Sequence, residues 1–270
     1  MKDLRKELAA ALAADPSASA LSQAPVEIYD TTLRDGAQME GIALSVADKL
    51  SIAAALDELG VWVIEGGWPG AIPKDTEFFE LARKLELKHA QLAAFGATRK
   101  AGVKVEEDPQ VLGLRDSQAQ IITLVAKSDL RHVEQALKTT PAENLAMVRD
   151  TVAFLVEQGR RVILDAEHYF DGMDYDSEYG LSVLVEAVRA GADTVTLCDT
   201  NGGSLPDGIA RRVTEARQAL AQAGFPQAKV GIHTHNDTGW RTPSPPSKPG
   251  RCTSRVVSTV TVNARGTRIS

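Results

Sequence analysis

Cysteine is almost absent from the chain. Cys198 and Cys252 are the only two among 270 residues. Two thiols cannot build a disulfide framework, so a reducing cytoplasm is the expected location. Long hydrophobic runs are missing as well. No apolar stretch approaches the roughly 20 residues that cross a bilayer. The opening residues, Met1-Lys-Asp-Leu-Arg-Lys-Glu-Leu8, alternate in charge and lack the apolar centre of a signal peptide. No membrane partner is therefore expected. Positive charge is not in excess, since the net charge is -6 and the pI about 5.5. That balance offers no electrostatic footprint for nucleic acid. A glycine-rich phosphate loop is lacking too. Gly66-Gly67 and Gly202-Gly203 are short and read as turns at strand ends.

What is present is an alternation of two periods. Short apolar runs at 26–29, 61–64, 89–95, 121–125, 162–165, 194–198 and 229–233 read as strands. Amphipathic stretches between them read as helices. One runs from Val46 to Leu59 and is closed by Gly60, and another begins at Thr140-Pro141 and stops at Gly159. Further helices are expected at 75–87, 178–190 and 206–223. Such alternation indicates parallel βαβ units. Polar residues gather just after successive strands: Asp30, Arg34 and Asp35; Glu65; Lys127; Glu167; Asp199 and Thr200; His233 and His235. Chemistry spread over the C-terminal ends of many strands favours an α/β (β/α)8 barrel over an open doubly wound sheet, which concentrates it at one switch point.

The barrel read this way is incomplete, with seven strands recognisable and the eighth missing. Residues 26–239 are expected to form one barrel domain that carries these polar residues. Residues 1–25 are expected to be an N-terminal extension with a short amphipathic helix at 4–14. After Gly239 the pattern breaks into Arg241-Thr-Pro-Ser-Pro-Pro-Ser-Lys-Pro-Gly250 and a basic, Ser/Thr/Val-rich tail. Residues 240–270 are expected to be a disordered, non-native tail.

Within the domain, His233 and His235 lie two apart on a strand and share one face. At the C-terminal end of a barrel strand they can meet one metal ion, although such pairs alone are more often surface or packed histidines. Asp35 supplies a hard oxygen, and two nitrogens with one carboxylate suit a divalent ion with open positions. Arg34 is always cationic and suits an enolate or a carboxylate, or else a structural ion pair. Glu167 is a candidate general acid or base, or a carboxylate supporting the ligands. Thr200 either hydrogen-bonds a substrate carboxylate or caps the next loop. His168 and Lys127 are rim residues without an assigned role, and His89 and His132 read as structural.

Three segments carry a specific resemblance: Asp30-Thr-Thr-Leu-Arg-Asp-Gly36, Cys198-Asp-Thr-Asn-Gly202 and His233-Thr-His-Asn-Asp237. Together they resemble the acyl-CoA-dependent barrel metalloenzymes that include 2-isopropylmalate, homocitrate and citramalate synthases and hydroxymethylglutaryl-CoA lyase. Glu65-Gly-Gly-Trp-Pro-Gly70 and Asp165-Ala-Glu-His-Tyr-Phe-Asp-Gly172 resemble the long-form citramalate synthase branch. The resemblance implies an acyltransferase that condenses acetyl-CoA with pyruvate to (R)-citramalate and CoA, on a route to isoleucine. It implies a divalent metal (Mg, Mn or Zn) on Asp35, His233 and His235, catalytic roles for Arg34 and Glu167, and substrate binding by Arg34 and Thr200. It also implies a homodimer in the full-length form. An isopropylmalate- or homocitrate-type synthase, or a related lyase, is the neighbouring alternative. A catalytically inactive truncated product is the alternative of another class.

The family continues past its His-x-His strand with a helix, an eighth strand and a Gly-Glu-Arg-x-Gly-Asn turn, none of which follows here. Read one nucleotide out of register with suitable synonymous codons, residues 240–270 spell a helix, a strand and Gly-Glu-Arg-Thr-Gly-Asn in that order. A slip of the reading frame near Gly239 is the expectation that follows.

Overall fold

The computed structural model describes residues 26–235 and 258–262. Seven parallel strands run in chain order around a barrel: β1 (Val26–Asp30), β2 (Val63–Gly67), β3 (Gln91–Ala97), β4 (Ile121–Lys127), β5 (Arg161–Glu167), β6 (Thr194–Asp199) and β7 (Lys229–Thr234). They are the seven recognisable from sequence. The expected N-terminal helix at 4–14 lies outside the described residues.

Residues 258–262 depart from the expectation. Ser258–Val262 forms β8, antiparallel to both β7 and β1, and closes the barrel. For these five residues the reading of 240–270 as a disordered tail does not hold, and the rest of 240–270 lies outside the described residues. That reading rested on the prolines before Gly250. Ser-Thr-Val-Thr-Val contains none and has four β-branched residues in succession, which suits a pleated ladder. The edges of β7 and β1 would otherwise present unpaired backbone groups, and β8 pairs them. A parallel eighth strand with its own helix is not formed among the described residues.

The helices are α1 (Val46–Leu59), α2 (Pro73–Ala82), α3 (Pro109–Asp116), α4 (Leu130–Gln135), α5 (Pro141–Glu157), α6 (Tyr169–Tyr175), α7 (Ser177–Arg189) and α8 (Pro206–Gln222). Their ends follow local chemistry. Ser45 and Asp48 form a capping box at the start of α1, and Gly60 ends it in the left-handed region at φ 80°. Thr140 accepts from the Glu143 N–H at the start of α5. The short helices α3, α4 and α6 escaped the sequence reading because each is too brief to display a helical period. Asp108 and Asp129 cap the first two.

The main hydrophobic core lies between strands and helices, around Ile64, Phe78, Leu114, Ile122, Leu164 and Leu184. A smaller cluster of Tyr29, Val63, Ala93, Ile121 and Ile163 fills the barrel interior. Below it, Arg161 and Lys229 both pair with Glu27 and Asp193 at the N-terminal end. Strand alternation then fixes what lies above. Two residues on from the apolar layer stand Glu65, Phe95, Thr123 and Asp165, and a further step along β5 brings Glu167 to the C-terminal rim.

Candidate metal centre and active site

β1 ends in a tight turn. Asp30 accepts from the backbone N–H of Thr32, and the N–H groups of Arg34 and Gly36 return to the carbonyl of Thr31. The turn carries Arg34 and Asp35 over the barrel mouth towards the end of β7. There Asp35 Oδ2 lies 3.4 Å from His233 Nε2 and 3.4 Å from His235 Nε2. The imidazole centroids are 5.0 Å apart. The three residues predicted as ligands are therefore brought together as one cluster. The His235 N–H donates to the carbonyl of Asp199, which ties this ligand to the end of β6.

The donors suit a divalent ion. His233 Nε2 is buried and has no hydrogen-bond partner, a costly state for a polar atom inside a protein. Separations of 3.4 Å exceed an ordinary hydrogen bond of about 2.7–3.2 Å. They match neighbouring ligands around one ion with bonds of about 2.0–2.2 Å. Burial works against charge on Asp35, yet the two histidines and Arg34 outweigh it and hold the carboxyl well below its ordinary range. Burial likewise opposes charge on His233, but Asp165 and Asp35 win and raise it.

Arg34 is fixed from two sides. Its Nε donates to Glu65 Oε2 at 2.6 Å, and its guanidinium lies 3.8 Å over the Phe95 ring. Its Nη1 is 3.5 Å from Asp35 Oδ1, so the cation stands beside the three candidate ligands. Glu65 is wholly buried and also accepts from the Tyr29 hydroxyl at 2.7 Å. Burial pushes its carboxyl up, against the opposing pull of Arg34.

Glu167 and Thr200 sit on the neighbouring part of the rim rather than in the ligand cluster. Glu167 ends β5 and pairs with Lys127, its partner in the ladder at the end of β4. Thr200 Oγ1 accepts from the backbone N–H of His168 at 2.9 Å, which joins the loops after β5 and β6. His168 adopts the left-handed region at φ 57°, uncommon for a residue with a side chain. Its ring packs edge-on against His132 at 4.2 Å.

Sequence reasoning gave Lys127 no role and did not single out Glu65 or Asp165 as site residues. A signal for the two acids existed. Val63-Ile-Glu65 and Val162-Ile-Leu-Asp165 are apolar strands that each carry one carboxylate at an inward-facing register.

The HMGL-like family model matches residues 25–243. The chain is 60% identical over 213 residues to the (R)-citramalate synthase of Streptomyces coelicolor, covering 78% of this chain and 39% of that protein. It is 36% identical over 220 residues to the 2-isopropylmalate synthase of Synechocystis sp., covering 78% and 38%. The chain thus spans about two-fifths of the length of these curated relatives. Among solved structures, the HMG-CoA lyase from Brucella melitensis superposes with a TM-score of 0.62 at 19% identity, covering 80% of this chain and 74% of that one. That likeness speaks for the barrel. No helix among the described residues is long and apolar enough to cross a membrane.

Proposed function

Because the chain belongs to the HMGL-like family, we propose that its barrel is the catalytic region of a metal-dependent acyltransferase condensing acetyl-CoA with pyruvate to (R)-citramalate and CoA. The observation that carries this reading is the convergence of Asp35, His233 and His235 beside Arg34. The 60% identity to a citramalate synthase supports pyruvate as the acceptor.

Asp35, His233 and His235 hold the divalent ion. Bound there, it supplies Lewis-acid polarisation of the keto group of an α-keto acid. Arg34, locked by Glu65 and Phe95, faces the charge that develops on the keto oxygen as the acetyl methyl group gives one proton to a base, its carbon bonds to the keto carbon, and the carbonyl π pair moves onto that oxygen. Thr200 accepts from the His168 N–H and so keeps its own O–H to donate to the substrate carboxylate. Glu167, beside Lys127, handles a proton at the rim. Hydrolysis of the thioester then releases CoA. The full-length form is a homodimer in this reading.

The test is metal-dependent appearance of free thiol from acetyl-CoA with pyruvate, 2-oxoisovalerate or 2-oxoglutarate. Pyruvate-dependent release supports the proposal, and release only with a larger keto acid replaces it by an isopropylmalate- or homocitrate-type synthase.

The alternative of an inactive product is favoured by the tail. The family match stops at residue 243, and β8 runs antiparallel where the other seven strands are parallel. We infer that residues 240–270 are read out of frame. Sequencing the gene across codon 239 and assaying a frame-restored chain beside this one decides it. Thiol release by the restored chain alone supports both inferences. Equal rates overturn the view that the tail impairs catalysis. No release by either chain with any keto acid overturns the acyltransferase reading.

A further inference from the structure

We propose that Asp165 is a positioning residue for the metal centre. Its carboxylate keeps the proton of His233 on Nδ1 and so presents an unprotonated Nε2 to Asp35 and His235. The inference rests on the reading above that these three residues hold a divalent ion.

The geometry is that of one imidazole between two carboxylates. His233 Nε2 faces Asp35 Oδ2 at 3.4 Å, and Nδ1 faces Asp165 Oδ2 at 3.7 Å. A neutral imidazole carries a single proton. If it sits on Nε2, no lone pair is left there for a metal; if it sits on Nδ1, the lone pair is free. Two acceptors of equal strength would leave this choice open. The ligand role removes Asp35 from the competition, because its oxygen is committed to the same ion. Asp165 then remains, among the described residues, as the carboxylate beside Nδ1.

The burial of Asp165 supports the assignment. Its side chain is only 10% exposed, and His233 is its one ion-pair partner among the described residues. A buried carboxylate without a donor is costly, so the Nδ1–H is the proton that this site needs. The gap of 3.7 Å is longer than a formed hydrogen bond. It must close by about 0.5–1 Å for the hydrogen bond to form. β5 and β7 are separated by β6, and Asp165 reaches His233 across the barrel interior. It fixes the ring without belonging to the strand that carries it.

One other group stands near Nδ1. Cys198 is the ladder partner of His233 and belongs to a buried cluster with Asp165 and His233. Its thiol points to the Thr196 carbonyl at 3.8 Å. Sulfur is a weak acceptor, and an ionised carboxylate takes an N–H far more strongly.

The test compares Asp165→Asn, Asp165→Glu and Cys198→Ser with the wild-type chain. Binding is read from the loss of the free Mn2+ EPR signal, and the tautomer from the 15N shifts of the His233 ring in metal-free protein at a pH high enough to leave the ring neutral, because its carboxylate neighbours raise its titration. The proposal expects Asp165→Asn to weaken Mn2+ binding roughly 10–100-fold and to move ring protonation towards Nε2. Asp165→Glu should recover part of both, while Cys198→Ser changes neither. A merely structural role would lower the unfolding midpoint without moving the 15N shifts. Unchanged shifts and affinity in Asp165→Asn, or a loss that appears instead in Cys198→Ser, overturn the proposal. A wild-type chain that binds no Mn2+ overturns the metal-centre reading, and the metal-free 15N shifts then judge the tautomer alone.

Discussion

Arg34 and Glu65 form an ion pair at 2.6 Å between the turn after β1 and the middle of β2, and both side chains are shut away from water. The Tyr29 hydroxyl bonds the other oxygen of Glu65 and also lies 2.7 Å from Thr123 Oγ1. β1 thus reaches the carboxylate that holds the arginine through Tyr29, and β4 supports Tyr29 through Thr123. The arginine is placed before any substrate arrives, which is what electrostatic stabilisation of a developing charge requires. Glu65→Gln keeps the shape and removes the charge. Leaving the Arg34 cation buried without its partner is expected to cost about 3–5 kcal/mol of stability, read from chemical denaturation. In the acetyl-CoA assay the thiol-release rate should fall by about a hundredfold or more. A variant that keeps its full rate would show that Arg34 does not act from this pinned position.

Asp57 ties the end of α1 to the approach to β3. Its two oxygens accept the backbone N–H groups of Lys88, His89 and Ala90 at 2.7–2.9 Å. Burial favours the neutral acid, but the three N–H bonds outweigh it and lower the carboxyl from its ordinary value. A carboxyl lowered by folding adds stability above its unfolded value, near pH 3.9, and that stability is lost as pH falls through the lower folded value. Asp57→Asn is therefore expected to be less stable than wild type by about 1.5–3 kcal/mol at pH 7. The gap should hold down to about pH 5 and narrow below about pH 4. Denaturation curves at several pH values check this, and a gap that widens in acid would contradict the assignment.

Gly172 fits where no side chain can. A Cβ there would lie 2.7 Å from the Ser128 carbonyl oxygen and 2.9 Å from Asp129 Cα. Both are backbone atoms and cannot swing aside. Ser128 in turn donates through N and Oγ to the Glu167 carbonyl, so it links the rims of β4 and β5. Gly172→Ala is expected to cost about 1–3 kcal/mol and to separate Lys127 from Glu167, lowering turnover beyond the loss of folded protein. The two effects are distinguished by measuring rate per folded molecule. An alanine variant with wild-type stability would mean that α6 can withdraw without cost.

Much of the barrel is legible in the chain because its long elements announce themselves. Helix α1, with Ser45 and Gly60 at its ends, and α5, with Thr140-Pro141, match their observed spans almost residue for residue. Asp35, His233 and His235 were legible because strand parity puts the two histidines on one face and barrel topology puts Asp35 at the same mouth. The roles of Glu65 and Asp165 were not, because partners such as Arg34 and His233 lie far off in sequence and meet them only across the closed sheet. The β8 segment was overlooked for a different reason. The prolines of 243–249 set the reading of the whole tail, while the strand-forming Ser258–Val262 lies beyond them.

Val260 stands at the seam, with Ile28 as its ladder partner in β1 and Ile232 in β7. Proline there has no N–H to donate and a fixed φ, so the ladder on one side of β8 must break. If β8 closes the barrel, Val260→Pro is expected to lower stability on the order of 3 kcal/mol and to raise binding of an apolar dye at the exposed edges. The consequence reaches the site, because His233 follows Ile232 directly and the β7 backbone would lose its neighbour on that side. Mn2+ affinity should therefore fall together with stability. Val260→Ala, which keeps the backbone N–H and a free φ, serves as the control and should change both far less. If Val260→Pro leaves stability, dye binding and metal affinity untouched, β8 does not hold the barrel closed, and β7 keeps His233 and His235 in place without it.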